Sequence, residues 1–118
     1  MIDRLALCNE VLAPWGFAEQ CAYAAKLGYR ALEVAPFTLA DDPMSISDAQ
    51  AAQWAAIARD HGLAISGLHW LLVAPKGLSI SHPDAAVRQR SDARHNRDLD
   101  QRNLSRSVGG WVDVRVGV

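Results

Sequence analysis

Gly62-Leu63-Ala64-Ile65-Ser66-Gly67-Leu68-His69-Trp70-Leu71-Leu72-Val73-Ala74-Pro75-Lys76-Gly77-Leu78 is the stretch on which the reading of the fold turns. It opens on a glycine of the kind that ends helices by entering the left-handed region. Residues 63–68 then form a short apolar run bounded by turn signals, the pattern of a buried strand. His69 and Trp70 close that run, and an apolar loop follows.

Working outward toward the amino terminus, the same grammar repeats. Ser47 with Gln50 three residues later is a capping-box pattern, and Ala51, Trp54, Ala55 and Ala58 share one helical stripe beside Ile57. Ahead of a loop at 37–46, Ala31-Leu32-Glu33-Val34-Ala35 reads as a strand that Pro36 ends. Gly28 stops an earlier helix over 17–27, whose stripe is Phe17, Cys21, Ala24 and Leu27. Before it, Pro14-Trp15-Gly16 makes a turn and Leu5-Ala6-Leu7-Cys8 a further buried strand. The order βαβαβ predicts a parallel α/β sheet. The matching joints at Gly28 and Gly62 give a weak repeat of one barrel-like unit.

Toward the carboxyl terminus the grammar fails. Ser81-His82-Pro83-Asp84 predicts a helix start with Pro83 near its first turn. The stripe from Val87 then falls on Ser91, Arg94 or His95, and Asp98, which supply no apolar face for packing. Val108–Val118 alternates from Val112 and reads as an edge strand or an aggregation-prone tail. Residues 1–84 carry five Lys/Arg against nine Asp/Glu, and residues 85–118 carry seven against four. We therefore divide the chain into 1–88, which follows the fold, and 89–118, a poorly ordered basic tail that reads as foreign text. A frameshift or truncated gene produces such text, and a genuine basic tail is the alternative.

Composition narrows the function classes. At 118 residues, half of them apolar and with net charge −1, the chain is an ordinary globular domain with no overall bias toward nucleic acid or an acidic membrane. No run approaches the length of a membrane span, and no secretory h-region precedes the first strand. Cys8 and Cys21 read as reduced, structural thiols in a reducing cytoplasm.

In parallel β/α folds, sites gather at the carboxyl ends of strands. That rule selects Asn9 and Glu10, Glu33, and His69 with Trp70, with Trp15, Phe37 and Trp70 as aromatic faces in the following loops. The substrate-contacting set is accordingly Asn9, Glu33, Phe37, His69 and Trp70. Aromatic rings with a few placed polar groups suit a small polar ligand such as a sugar. Glu33 as a barrel-end ion pair with Arg4 or Arg30 is the competing reading. His61, His82, Trp54 and Lys76 read as structural or solvated. One histidine with one glutamate falls short of the three or four protein ligands of a catalytic metal site, so no metal ligand or catalytic residue is assigned.

Ala31-Leu32-Glu33-Val34-Ala35-Pro36-Phe37, Ile65-Ser66-Gly67-Leu68-His69-Trp70-Leu71 and Ser81-His82-Pro83-Asp84 before a helix together resemble the xylose-isomerase-like TIM barrels, over roughly residues 3–90. This group holds sugar isomerases and epimerases and the related apurinic endonucleases. The resemblance implies a partial barrel of about three amino-terminal β/α units. It also implies a divalent metal (manganese, magnesium, cobalt or zinc) in the intact enzyme, whose Glu, Asp, His and Glu ligands in the sugar branch come from later strands. It implies Glu33 at the mouth of the second strand and His69 at the end of the third, a metal-ligand position in the endonuclease branch and a substrate-side position in most sugar enzymes. A complete barrel takes ~250 residues. The expected product is thus an amino-terminal piece of a sugar isomerase/epimerase, inactive alone, acting in its intact form on a small sugar. An apurinic endonuclease piece is disfavoured by the acidic balance of residues 1–84. A non-catalytic piece that self-associates through open sheet edges is the third reading.

Overall fold

A computed structural model describes residues 4–73 and 75–100, with 94–100 as helix backbone. The expectations for 101–118 lie outside the described residues. Three strands, β1 (Ala6–Cys8), β2 (Ala31–Val34) and β3 (Ala64–Leu68), form a parallel sheet in the order β1-β2-β3. Helix α1 (Phe17–Lys26) connects the first pair and α2 (Asp48–Asp60) the second. The α/β class and the partial-barrel arrangement therefore match the sequence expectation.

Each element ends where its residues dictate. Gly28 and Gly62 have φ of 89° and 74°, the left-handed backbone that lets a helix turn sharply into the next strand. At the start of α2, Ser47 Oγ accepts from the Gln50 backbone N–H at 3.2 Å, and Gln50 Oε1 accepts from Ser47 N–H at 2.9 Å, so the predicted capping box is complete. At the start of α1, Glu19 performs half of that task, accepting from Gly16 N–H at 3.2 Å.

The core lies between the sheet and the two helices. Phe17, Cys21 and Ala24 of α1 and Ala58 of α2 pack with Leu32, Val34, Leu63 and Ile65, with Leu7, Trp54 and Leu68 against them. A second cluster of Ile46, Ala51 and Ala55 seals the loop before α2. The α1 stripe differs from expectation at one end. Leu27 is exposed, while Gln20 is buried at 2% and spends its amide on Asn9 and on the Trp15 carbonyl.

The loop at 37–46 is not irregular: it folds into two 3-10 turns, Pro36–Thr38 and Pro43–Ser45, each opened by a proline. A third such turn, Asn9–Leu12, follows β1. The third helix, α3 (Ala85–Asp100), continues well beyond Arg88, where the sequence offered nothing to hold it. Its start is set by Asp84, whose carboxylate accepts from Ala86 N–H at 2.8 Å. The point that packs is Ser91, fully buried, accepting from Ser79 N–H and donating to the Val87 carbonyl. A serine supplies this contact because the junction is made by hydrogen bonds rather than apolar area.

Candidate functional site at the carboxyl ends of the strands

Strand alternation assigns Leu7, Leu32, Val34 and Ile65 to the helix-covered face. Cys8 and Glu33, paired across β1 and β2, take the other face. On β3 a strict alternation from Ile65 would put His69 with the helices. It does not, because the pairing jumps from Leu32↔Ile65 to Glu33↔Gly67 and passes over Ser66. One extra residue reverses the parity of everything after it. Leu68 therefore joins the core and His69 lands beside Glu33. Ser66 Oγ donates to the Leu32 carbonyl at 3.1 Å, which satisfies a ladder acceptor at the bulge.

The bulge builds a compact polar cluster. His69 Nδ1 lies 3.0 Å from Glu33 Oε2, and Nε2 lies 3.2 Å from Glu10 Oε2. The imidazole donates to both carboxylates at once only as the imidazolium, which carries a proton on each nitrogen. The carboxylates are 37% and 46% exposed and the imidazole 19%, so these are solvent-screened pairs that orient the ring rather than anchor the fold.

Cys8 Sγ is 3.5 Å from both ring nitrogens. A point equidistant from both and in the ring plane would collide with Cε1 between them, so the sulfur sits over the ring face. Burial first, then the Glu10 and Glu33 carboxylates, push the Cys8 thiol above its usual range, outweighing backbone hydrogen bonds that favour the thiolate.

An aromatic wall adjoins the cluster. Trp70, 60% exposed, stands 6.4 Å from Phe37 and 6.0 Å from His69, centroid to centroid. Its backbone sits at φ 57°, a left-handed conformation that costs a non-glycine residue roughly 1–2 kcal/mol.

Of the five residues selected from sequence, the structure brings four together: Glu33, His69, Trp70 and Phe37. Asn9 lies apart, fully buried toward α1. Its Nδ2 donates to Gln20 Oε1 and Thr38 Oγ1, at 3.1 and 2.7 Å, and its Oδ1 accepts from Ala35 N–H at 2.8 Å. These bonds splice the end of β1 to β2 and fix the turn that carries Phe37. Cys8 and Glu10 are members the residue assignment passed over. Glu10 was visible as a polar group just past a strand, whereas Cys8 looked like any apolar strand position. Cys21, fully buried against α1's partners, is pushed up to about 11 by burial alone. His61 closes α2, with Nδ1 2.9 Å from the Ile57 carbonyl, and His82 Nδ1 accepts from Asp84 N–H.

Comparison with protein-family models and with curated proteins returns no match. Among solved structures, the chain is similar to a crystal structure of D-psicose 3-epimerase in the presence of D-fructose. The TM-score is 0.57, with 27% identity over 77% of this chain. The three parallel strands and their connecting helices are consistent with a partial β/α barrel of the xylose-isomerase-like kind. The chain spans 29% of that epimerase's length. The likeness extends to an isomerase/epimerase-like fold for the described residues.

The likeness to an epimerase suggests a metal-dependent family. Among the described residues, Cys8, Glu10 and His69 are the His/Cys/Asp/Glu group whose donor atoms lie close together, within 4.8 Å of one another. A thiol in the set does not match the oxygen-rich coordination that manganese or magnesium favours. Among the described residues, no helix is long and apolar enough to cross a membrane.

Proposed function

We propose that the chain supplies amino-terminal β/α units of a metal-dependent sugar isomerase or epimerase, and that Glu33, His69, Phe37 and Trp70 form one wall of its sugar site. The observation that carries this reading is the Phe37–Trp70 ring pair standing against the His69–Glu33 pair at the strand carboxyl ends. The likeness to an epimerase studied with a ketohexose supports it. Aromatic faces bind the apolar side of a sugar ring, and an imidazole held by Glu33 through Nδ1 presents Nε2 as a fixed acceptor to a sugar hydroxyl. Asn9 acts here by positioning: it holds the turn that presents Phe37. The intact enzyme moves a proton at the carbon beside the carbonyl, with carboxylates and the metal from later strands. The 118-residue chain, lacking them, binds sugar weakly and turns nothing over.

The test is a titration of the isotope-labelled chain with D-fructose, followed by NMR. Shifts confined to His69, Trp70 and Phe37 are expected; shifts centred on Trp15, in the turn before α1, and its neighbour Tyr23 sink the reading. In a parallel assay with ketohexoses and manganese, measurable epimerisation overturns the claim of inactivity. The endonuclease alternative draws no support from the acidic balance of residues 1–84.

A further inference from the structure

We propose that Cys8, Glu10 and His69 form a zinc-type metal site of their own at the end of β1 and β3, with Glu33 as the outer carboxylate that orients the histidine.

Three observations converge on it. First, the three donor atoms lie within 4.8 Å of one another, and the two separations that involve His69 suit ligands of one tetrahedral ion. Zinc bonds of ~2.3 Å to sulfur and ~2.0–2.1 Å to nitrogen or oxygen place tetrahedral neighbours about 3.6 Å apart for sulfur and nitrogen and about 3.4 Å for nitrogen and oxygen. The observed separations are 3.5 Å from Cys8 Sγ to His69 Nε2 and 3.2 Å from Nε2 to Glu10 Oε2. Second, Glu33 Oε2 at 3.0 Å accepts the Nδ1 proton. That bond leaves Nε2 as the lone-pair nitrogen facing Cys8 and Glu10, the carboxylate–histidine–metal relation found around many zinc sites. Third, Glu10 and Glu33 both reach His69, at 3.2 and 3.0 Å, so two carboxylates stand beside Cys8 and supply a negative field that favours a dication there.

Sulfur, imidazole and one carboxylate select zinc or cobalt over magnesium or manganese. Three protein ligands leave a fourth position open to water or a ligand oxygen. Because Sγ sits over the ring face, ligation requires a turn of the ring about its Cβ–Cγ bond, and the Glu33 carboxylate follows Nδ1 as it swings.

The test uses the full chain under reducing conditions, titrated with cobalt(II) and read by the thiolate-to-cobalt charge-transfer absorption. One equivalent is expected to raise the band, which zinc abolishes and excess magnesium or manganese leaves intact. Cys8→Ser loses the band and Cys21→Ala keeps it. Glu33→Gln keeps the band with affinity reduced about 10–100-fold, the usual cost of losing an outer partner. Should Cys8→Ser fail to fold, as judged by circular dichroism, Glu10→Gln decides: its exposed side chain leaves the fold intact, and cobalt affinity falls at least about tenfold. A band that survives Cys8→Ser, cobalt binding with no thiolate band, or displacement by manganese overturns the proposal. No sugar enters this experiment, so its failure and that of the sugar-site reading are separable.

Discussion

The two faces of one three-stranded sheet obey different rules. The face toward α1 and α2 is closed: Leu32 is fully buried, Val34 and Ile65 nearly so, and even its polar member, Asn9, has its amide bonded within the protein. The opposite face carries small residues, Ala31 and Ala64, and then, at the strand ends, Cys8, Glu33 and His69. The closed face stores the stability; the open face presents polar side chains that stability does not need. Substitutions on the two sides therefore separate cleanly.

The largest effect belongs to the closed face. Leu32→Ala is expected to lower unfolding free energy by about 2–5 kcal/mol, measured by urea denaturation. Asn9→Ala follows at roughly 2–4 kcal/mol, since it strands the buried Ala35 N–H and two side-chain partners. A loss below about 1 kcal/mol at either position would break the distinction. Cys21 gives a pH signature of the same face. Burial raises its pKa from 9.0 to about 11. Its favourable protonated state is thus fully present below about pH 9 and lost as pH climbs toward 11. Stability measured across that window should fall, and Cys21→Ala should flatten the fall.

How far the sequence foretold this division depends on the residue. The helix stops at Gly28 and Gly62 and the Ser47–Gln50 cap are local events, fixed by a few neighbouring atoms, and were legible. So was the gathering of Glu33, His69, Phe37 and Trp70 at one end, because the parallel topology places all strand carboxyl ends together. The face on which each side chain falls was not legible wherever a bulge intervenes: nothing in Ile65-Ser66-Gly67-Leu68 announces that Ser66 drops out of register. Asn9 and Cys8 changed places for a related reason. Cys8 ends β1 and Asn9 opens the turn after it, so one residue decides between open side and helix side, and alternation over a three-residue strand is too short to read. The continuation of α3 past Arg88 escaped because its anchor is a buried serine rather than an apolar stripe.

Smaller effects sharpen the comparison on the open side. Ser66→Ala removes the bond at the bulge and is expected to cost about 1 kcal/mol, while lowering sugar and cobalt binding by more than that figure implies, since it loosens His69. Glu10→Gln should change stability by less than about 1 kcal/mol, because the pair it breaks is exposed. A larger loss would mean that the open face also supports the fold.

The parity reversal at Ser66 is the point on which the site stands, and proton–proton NOEs from the His69 ring test it most directly. Contacts are expected from His69 Hε1 to the Cys8 Hβ protons, and none to Ala58 or Trp54 of α2. Contacts to α2 with silence toward Cys8 would place His69 on the helix face and contradict it.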